Sequence, residues 1–467
     1  MTSPALPRDN DQAIREAVAA GIPSALSDLG DLVRIPGMAW PAFDQTQLER
    51  SADAVAGLAR GTGVFDEVRV LRAAIPGTDE QGQPAVLARR AARGGKPTIL
   101  LYAHHDVQPP GADELWETPP FEPTVRDGRL YGRGAADDKA GIMAHIASIR
   151  AVAETLGDEL ELGIAMFIEG EEEYGSRSFA QFLSDNKEAL RADAIVVADS
   201  GNWDSSTPGL TVSLRGNARF TLRVRTLDHA SHSGMFGGAA PDAMMATVKL
   251  LSTMWNDDGS VAVEGMTVRD AETPEYSEET LRDEAGLLPG TAPIGDGTIL
   301  SRIWNKPSVT VIGIDATSVA EASNTLLPEV TVVISARVAP GQSGEDAYRA
   351  LEAHLRAHAP FGAELAFSDL DLGDGFLVDT SGWAVELTRD AMRDAYGKAP
   401  VDLGVGGSIP FIADLVREFP EAQILVTGVE DPYSRAHSPN ESLHLETFRN
   451  AVATEALVLA RMNEITR

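Results

Sequence analysis

The sequence predicts an α/β protein with a mostly parallel central sheet, interrupted by an inserted α+β domain of ferredoxin-like build. Three observations carry that prediction. Short apolar runs recur at 98–103 (TILLYA), 162–168 (LGIAMFI), 194–198 (AIVVA) and 424–427 (ILVT), with helical patterns between the earlier ones. Strands buried on both faces read as continuous apolar runs, and helices between them make parallel crossovers. Residues 217–226 switch to strict alternation, with Phe220, Leu222 and Val224 set against Thr221, Arg223 and Arg225. That period of two marks a half-buried strand. Counted from that strand, the elements run β-α-β-β-α-β, the order of a ferredoxin-like layer.

Each element has a local reason. Residues 11–34 are expected to be helical, because Ile14, Val18, Ile22, Ala25, Leu29 and Leu32 fall on one face. A second helix is expected over 47–60, ended by Gly61, and further helices over 139–155 and 176–190. In the insert, a helix over 242–255 follows Pro241, and strands are expected at 308–314 and 329–338. A helix over 344–358 opens with Ser343 and Asp346 three residues on, a capping-box arrangement. A last strand is expected near 363–369, and the polar stretch 256–300 reads as an excursion within the insert. The expected organisation is one domain from 1–212 and 378–467, with 213–377 inserted into it.

Composition excludes several classes of function. The chain has 467 residues, 43% apolar and 23% charged, enough for a sizeable core. Its formal net charge of −31 repels phosphate backbones and anionic lipid, so neither nucleic acid nor membrane is an expected partner. It has no cysteine, which removes disulfides, thiolate metal sites and a cysteine nucleophile. The first residues lack the apolar run of a signal peptide, and a cytoplasmic location is expected.

Ligands of open α/β sheets bind beyond the carboxyl ends of the strands. Here the runs end in His104-His105-Asp106, in Glu169-Gly170-Glu171-Glu172-Glu173 and in Asp199, and the fourth is followed by a loop with His437. A further acidic loop, Gly132 to Lys139, holds Asp137 and Asp138 before a helix. On a strand, side chains two apart share a face, so His104 and Asp106 point together while His105 points away. Asp106 could then orient a metal-binding His104. Singly, each piece has a plainer reading. His104–Asp106 reads as well as a surface pair, the acidic runs as helix starts, and His437 as a loop histidine. Their joint placement at strand ends favours metal chemistry.

The segments LYAHHDVQP, LYGRGAADDKAG, IEGEEEYGS, VVADSGNW, HSGMFGG, GGSIP and RAHSPNE, in this order over about 98–440, resemble the M20 metallopeptidases, and among them the carnosinase-like and PepV-like dipeptidases. The resemblance implies a zinc-peptidase-like catalytic domain and an inserted lid and dimerisation domain. It implies two divalent metal ions per subunit, zinc foremost, with manganese or cobalt admissible. His104 and Asp199 would hold one, Glu173 and His437 the other, and Asp137 would bridge them. Three carboxylates leave a single positive charge on two such cations, which a bridging hydroxide neutralises. Glu172 falls on the general base and Asp106 on its auxiliary carboxylate. A cis peptide is implied at Asp137–Asp138.

By the same resemblance, His232 would reach the active site of the opposite subunit in a homodimer formed through the insert and polarise the scissile carbonyl. Arg337 would bind the substrate's free carboxylate, a task suited to a bidentate guanidinium. Thr325 and Ser408 match further substrate contacts. The chain departs from the pattern at Tyr174, where a small residue is usual, and over Ser200-Gly201-Asn202, which lengthens the step to Trp203.

The expected activity is metal-dependent hydrolysis of dipeptides or short peptides with a free C-terminal carboxylate. An N-acyl-amino-acid amidohydrolase using the same dinuclear site is the alternative. A non-catalytic cation-binding protein would have no use for Glu172 and His232.

Overall fold

Four parallel strands frame the part of the molecule that carries the acidic motifs. In the computed structural model, which describes residue 8, residues 10–406 and residues 410–466, they lie side by side in the order Gly163–Glu169, Thr98–His104, Ala194–Val197 and Gln423–Val426. Their side chains explain the continuous apolar runs. Ile99, Leu101, Ile164, Met166, Ile168 and Ile195 are all fully buried. Each such side chain contributes about 1.5–3 kcal/mol by leaving water. The α/β fold with a mostly parallel centre is therefore as the sequence predicts.

Pairing register sets the carboxyl ends level. His104 pairs with Glu169, and Tyr102 with Val197, so Asp199 stands at the height of His104 two residues beyond. An antiparallel pair, Glu67–Leu71 and Ala85–Arg90, extends the sheet on the side of Gly163–Glu169. The sequence reading did not assign these strands. Glu67–Leu71 is only partly buried throughout and shows no clean period.

The helices Asp11–Val33, Lys139–Leu156 and Leu445–Asn463 pack against one another. Leu445–Asn463 is buried nearly all round, so it has no polar stripe to announce it from sequence. The helix expected over 176–190 is broken instead. Phe179–Asp185 stops at Asn186, which starts the short turn Lys187–Leu190. Ser176, at a φ of 49°, keeps the chain from being helical further upstream.

Contacts divide the chain into two units, with changes at Val212/Ser213, Leu377/Val378, Leu403/Gly404 and Ala413/Asp414. Residues 404–413, which the sequence placed in the flanking domain, group with the second unit. There the Arg215 Nε donates to the Gly406 carbonyl at 3.2 Å, and Gly404 lies against the Trp304 side chain with no room for a Cβ.

The second unit has a four-stranded antiparallel sheet in the order Ser308–Asp315, Glu329–Val338, Gly216–Arg225 and Glu364–Gly373. Numbered along the chain this is 2-3-1-4, and the helices Ala243–Ser252 and Gly344–Ala357 follow the first and third strands. That is the ferredoxin-like arrangement. The Ser343 hydroxyl caps its helix by accepting from the Asp346 N–H at 3.1 Å. The last strand runs further than expected and is irregular between Ser368 and Asp371, where Asp369 has a φ of 53°. Among the described residues no helix is long and apolar enough to cross a membrane.

Phe220 is fully buried in this second core, edge-on to Tyr348 at 5.4 Å. Replacing it with alanine is expected to destabilise the unit by about 3–5 kcal/mol through the cavity left behind, measured as a shift in its urea transition.

Candidate metal centre

Three of the parallel strands, Thr98–His104, Gly163–Glu169 and Ala194–Val197, deliver donors at or just past their carboxyl ends to one place. His104 closes its strand, fully buried. Its Nδ1 faces the Asp106 backbone carbonyl at 3.2 Å and the Asp106 carboxylate at 3.4 Å. Its Nε2 lies 3.1 Å from Asp137 Oδ1. The second oxygen of the same carboxylate lies 3.0 Å from His437 Nε2. Asp137 thus stands between two imidazoles, one on each oxygen. Glu173 is 3.2 Å from His437 Nε2, and Glu172 is 4.0 Å from His104 Nε2. Two sets of donor atoms each lie within 4.8 Å of one another: His104, Asp137 and Glu173, and His104, Glu172 and Asp199.

Local structure holds these groups in place. The Asp106 carboxylate accepts from the backbone N–H of Glu172 and of Glu173, both at 3.1 Å, which pins the turn Glu172–Tyr174. Asp138, whose carboxylate accepts from the His104 N–H at 3.2 Å, follows a cis peptide bond from Asp137. The Lys139 ammonium is buried and donates to the Leu32 and Ile35 carbonyls at 2.8 and 2.6 Å, anchoring the helix that starts there. Gly134, at a φ of 79°, has Val107 2.6 Å from where a Cβ would sit, so a larger residue cannot make this turn. His105 points away, as strand alternation requires, and pairs with the Pro84 carbonyl at 2.7 Å.

The charges are out of balance. Burial pushes the Asp199 carboxyl up to about 7 and raises Glu172 and Glu173 as well. Burial also opposes ionisation of Asp137, yet hydrogen bonds from His104 and His437 hold its carboxyl below the usual range. Hydrogen bonds to Asp137 and Glu173 push the His437 imidazole up to about 11. Crowded carboxylates and imidazoles with too little countercharge are a donor set that fits divalent cations.

The structure brings His104, Asp106, Asp137, Glu172, Glu173, Asp199 and His437 together. His232, Thr325 and Arg337 belong to the second unit. There His232 pairs directly with Thr325 in the ribbon of Ser231–His232 and Thr325–Leu326. The His232 Nδ1 accepts from the Gly234 N–H at 3.0 Å, and its ring is exposed. Arg337 sits on the Glu329–Val338 strand opposite Asn217 and Ser308. Ser408 lies outside the described residues.

Three neighbours of the cluster escaped the sequence reading. Gln108 donates to Glu173 at 2.7 Å, and it belongs to the first of the motifs quoted above. Glu430 is raised well above the carboxylate range by burial and by the charges of Asp137 and Asp199. It follows a strand end by four residues, so the strand-end rule could have found it. Glu441 bonds the Asp137 loop directly.

Residues 100–461 match the model of peptidase family M20/M25/M40. The chain belongs to that family. This M20 chain is 36% identical over 368 residues to a cysteinylglycine-S-conjugate dipeptidase of Corynebacterium striatum, covering 78% of the chain and 80% of that protein. It is 28% identical over 387 residues to the human Beta-Ala-His dipeptidase, covering 77% and 74%. The dipeptidase Dug1p of Saccharomyces cerevisiae has the same fold, with a TM-score of 0.77 at 22% identity over 98% of this chain and 99% of that one. Human carnosine dipeptidase 1 aligns at 0.76 and 23% over 99% and 100%. The M20 chain is a hydrolase of peptide bonds and, like its family, depends on metal.

Since the His437 proton must leave before its nitrogen can bind a cation, metal uptake by the stripped protein is expected to release protons at pH 7. Affinity should then rise with pH by about tenfold per unit for each proton displaced. Calorimetry in buffers of different ionisation enthalpy reads both quantities.

Proposed function

We propose that this M20 chain is a dinuclear dipeptidase that cleaves the amide bond of dipeptides or short peptides bearing a free C-terminal carboxylate. The observation that carries the reading is the Asp137 carboxylate, with one oxygen facing His104 and the other His437 at 3.1 and 3.0 Å. In this reading His104 and Asp199 hold one cation, Glu173 and His437 the other, and Asp137 is shared. Zinc suits the mixture of nitrogen and oxygen donors best, and manganese or cobalt fit it too. Two such cations supply Lewis acidity and lower the pKa of water to near neutrality.

The chain's own groups do the rest. Glu172 takes a proton from the attacking water and hands it to the leaving amine nitrogen. A carboxyl raised by burial is suited to both halves of that transfer. Asp106 keeps the Glu172–Glu173 turn and the His104 ring in register. Arg337 grips the substrate carboxylate, with Thr325 and Ser408 as further contacts. His232 polarises the scissile carbonyl of the opposite subunit in a homodimer formed through the inserted unit. Exposed apolar side chains near it in sequence, Met235, Phe236, Met245 and Val248, are the kind that a partner covers. The protein acts in the cytoplasm. The curated relatives named above are dipeptidases by name, so the acyl-amino-acid alternative is set aside.

A panel of dipeptides beside N-acyl amino acids tests the substrate class; turnover confined to the acyl compounds would reverse the reading. Glu172→Gln is expected to keep two metals per chain while kcat falls by about 10²–10⁴-fold. Metal analysis and initial rates check this together, and normal turnover would remove the general-base role. Arg337→Lys is expected to cost about 1.5–3 kcal/mol in kcat/KM, chiefly through KM, for substrates with a free carboxylate. Sedimentation of a fully active monomer would defeat the shared site.

A further inference from the structure

One buried carboxylate near the cluster has no part in the proposed ligand set. Glu441 ends the segment that carries His437, and it is wholly shielded from solvent. Its Oε1 accepts from the backbone N–H of Ala136 at 2.9 Å and of Asp137 at 3.1 Å. Its Oε2 accepts from the Gly134 N–H at 3.1 Å and from Arg133 Nη1 at 2.6 Å. Its own carbonyl accepts from the Gly132 N–H at 3.1 Å.

The loop that carries Asp137 is buried but belongs to no helix or strand, so no ladder supplies its backbone with partners. The Glu441 carboxylate takes three of the loop's N–H groups, those of Gly134, Ala136 and Asp137, while backbone carbonyls take those of Gly132, Arg133, Ala135 and Lys139. A buried N–H left unpaired is costly, so Glu441 ties down the part of the loop that carries Asp137. The same carboxylate is tied by four residues of chain to His437, whose Nε2 is 3.0 Å from Asp137 Oδ2. Arg133, also buried, closes the arrangement from the other side with its guanidinium over the Trp116 ring at 5.6 Å.

We propose that Glu441 is a positioning residue that holds Asp137 in register with His437 and thereby sets the affinity of the centre for its cations. The proposal rests on the dinuclear reading above. Glu441 touches no substrate and transfers no proton; it acts through the backbone of Asp137.

Glu441→Gln in the full chain removes the charge and sets an NH2 donor against backbone donors. Zinc binding to the stripped protein, measured by competition with a chromophoric chelator, is expected to weaken about 10–100-fold. The zinc concentration needed for activity should rise by the same factor, while kcat at saturating zinc stays near that of the wild type. Asp11→Asn breaks another buried ion pair of the same unit, Asp11 with Arg461 at 2.6 Å, and serves as the control. It should lower Tm and leave zinc affinity unchanged. A Glu441→Gln protein with wild-type zinc affinity, losing only Tm as the control does, would make Glu441 merely structural and overturn the proposal. If Glu441→Gln does not fold, Glu441→Asp is read by the same measurement: weaker zinc binding upholds the proposal, and unchanged binding overturns it. Wild-type protein that takes up no zinc, manganese or cobalt would sink the dinuclear reading itself, a result distinct from either.

Discussion

Mutual repulsion among crowded carboxylates at the carboxyl ends of a parallel sheet is the constraint from which the rest of the metal centre follows. Asp137, Glu172, Glu173 and Asp199 approach one another at a largely buried site, and among the described residues two imidazoles, His104 and His437, face them. Left without countercharge such a cluster drives protons onto itself, which is the direction in which Asp199, Glu172 and His437 all move. Divalent cations satisfy the same demand with less disturbance, because each replaces protons with bonds to several oxygens at once. Coordination chemistry and acid–base chemistry are here two answers to one electrostatic problem.

Holding these groups close needs a frame that does not yield. The parallel strands provide one side of it, since apolar packing fixes their register and so the height of His104 and Asp199. The other side comes from polar contacts of buried groups. Asp106 holds the Glu172–Glu173 turn, Asp138 holds the His104 amide, and Glu441 holds the Asp137 loop. All three are carboxylates that accept from backbone N–H groups. In an acidic protein this gives charged side chains a use that spares them from the cluster.

The strands that face the core on both sides were legible, because nothing but a continuous apolar run satisfies such a position. The alternating strand Gly216–Arg225 was legible for the opposite reason, having one wet face. The edge strand Glu67–Leu71 and the buried helix Leu445–Asn463 were not assigned, since neither carries a period that separates inside from outside. The break at Asn186 also escaped, because a helix can be interrupted by a local cap without losing its apolar spacing.

Sequence alone determined the chemical vocabulary: which strands end in histidine or carboxylate, the absence of thiols, and the family motifs that order them. Those are properties of residue identity and spacing along the chain. Only the tertiary structure decided that one carboxylate, Asp137, meets His104 through one oxygen and His437 through the other, from segments 300 residues apart. It alone also singled out Gln108 and Glu441 from the many other polar residues of the chain. Spacing along a chain limits what neighbours on one strand or helix can do, whereas distance across a folded core depends on how layers pack, and no local pattern encodes that.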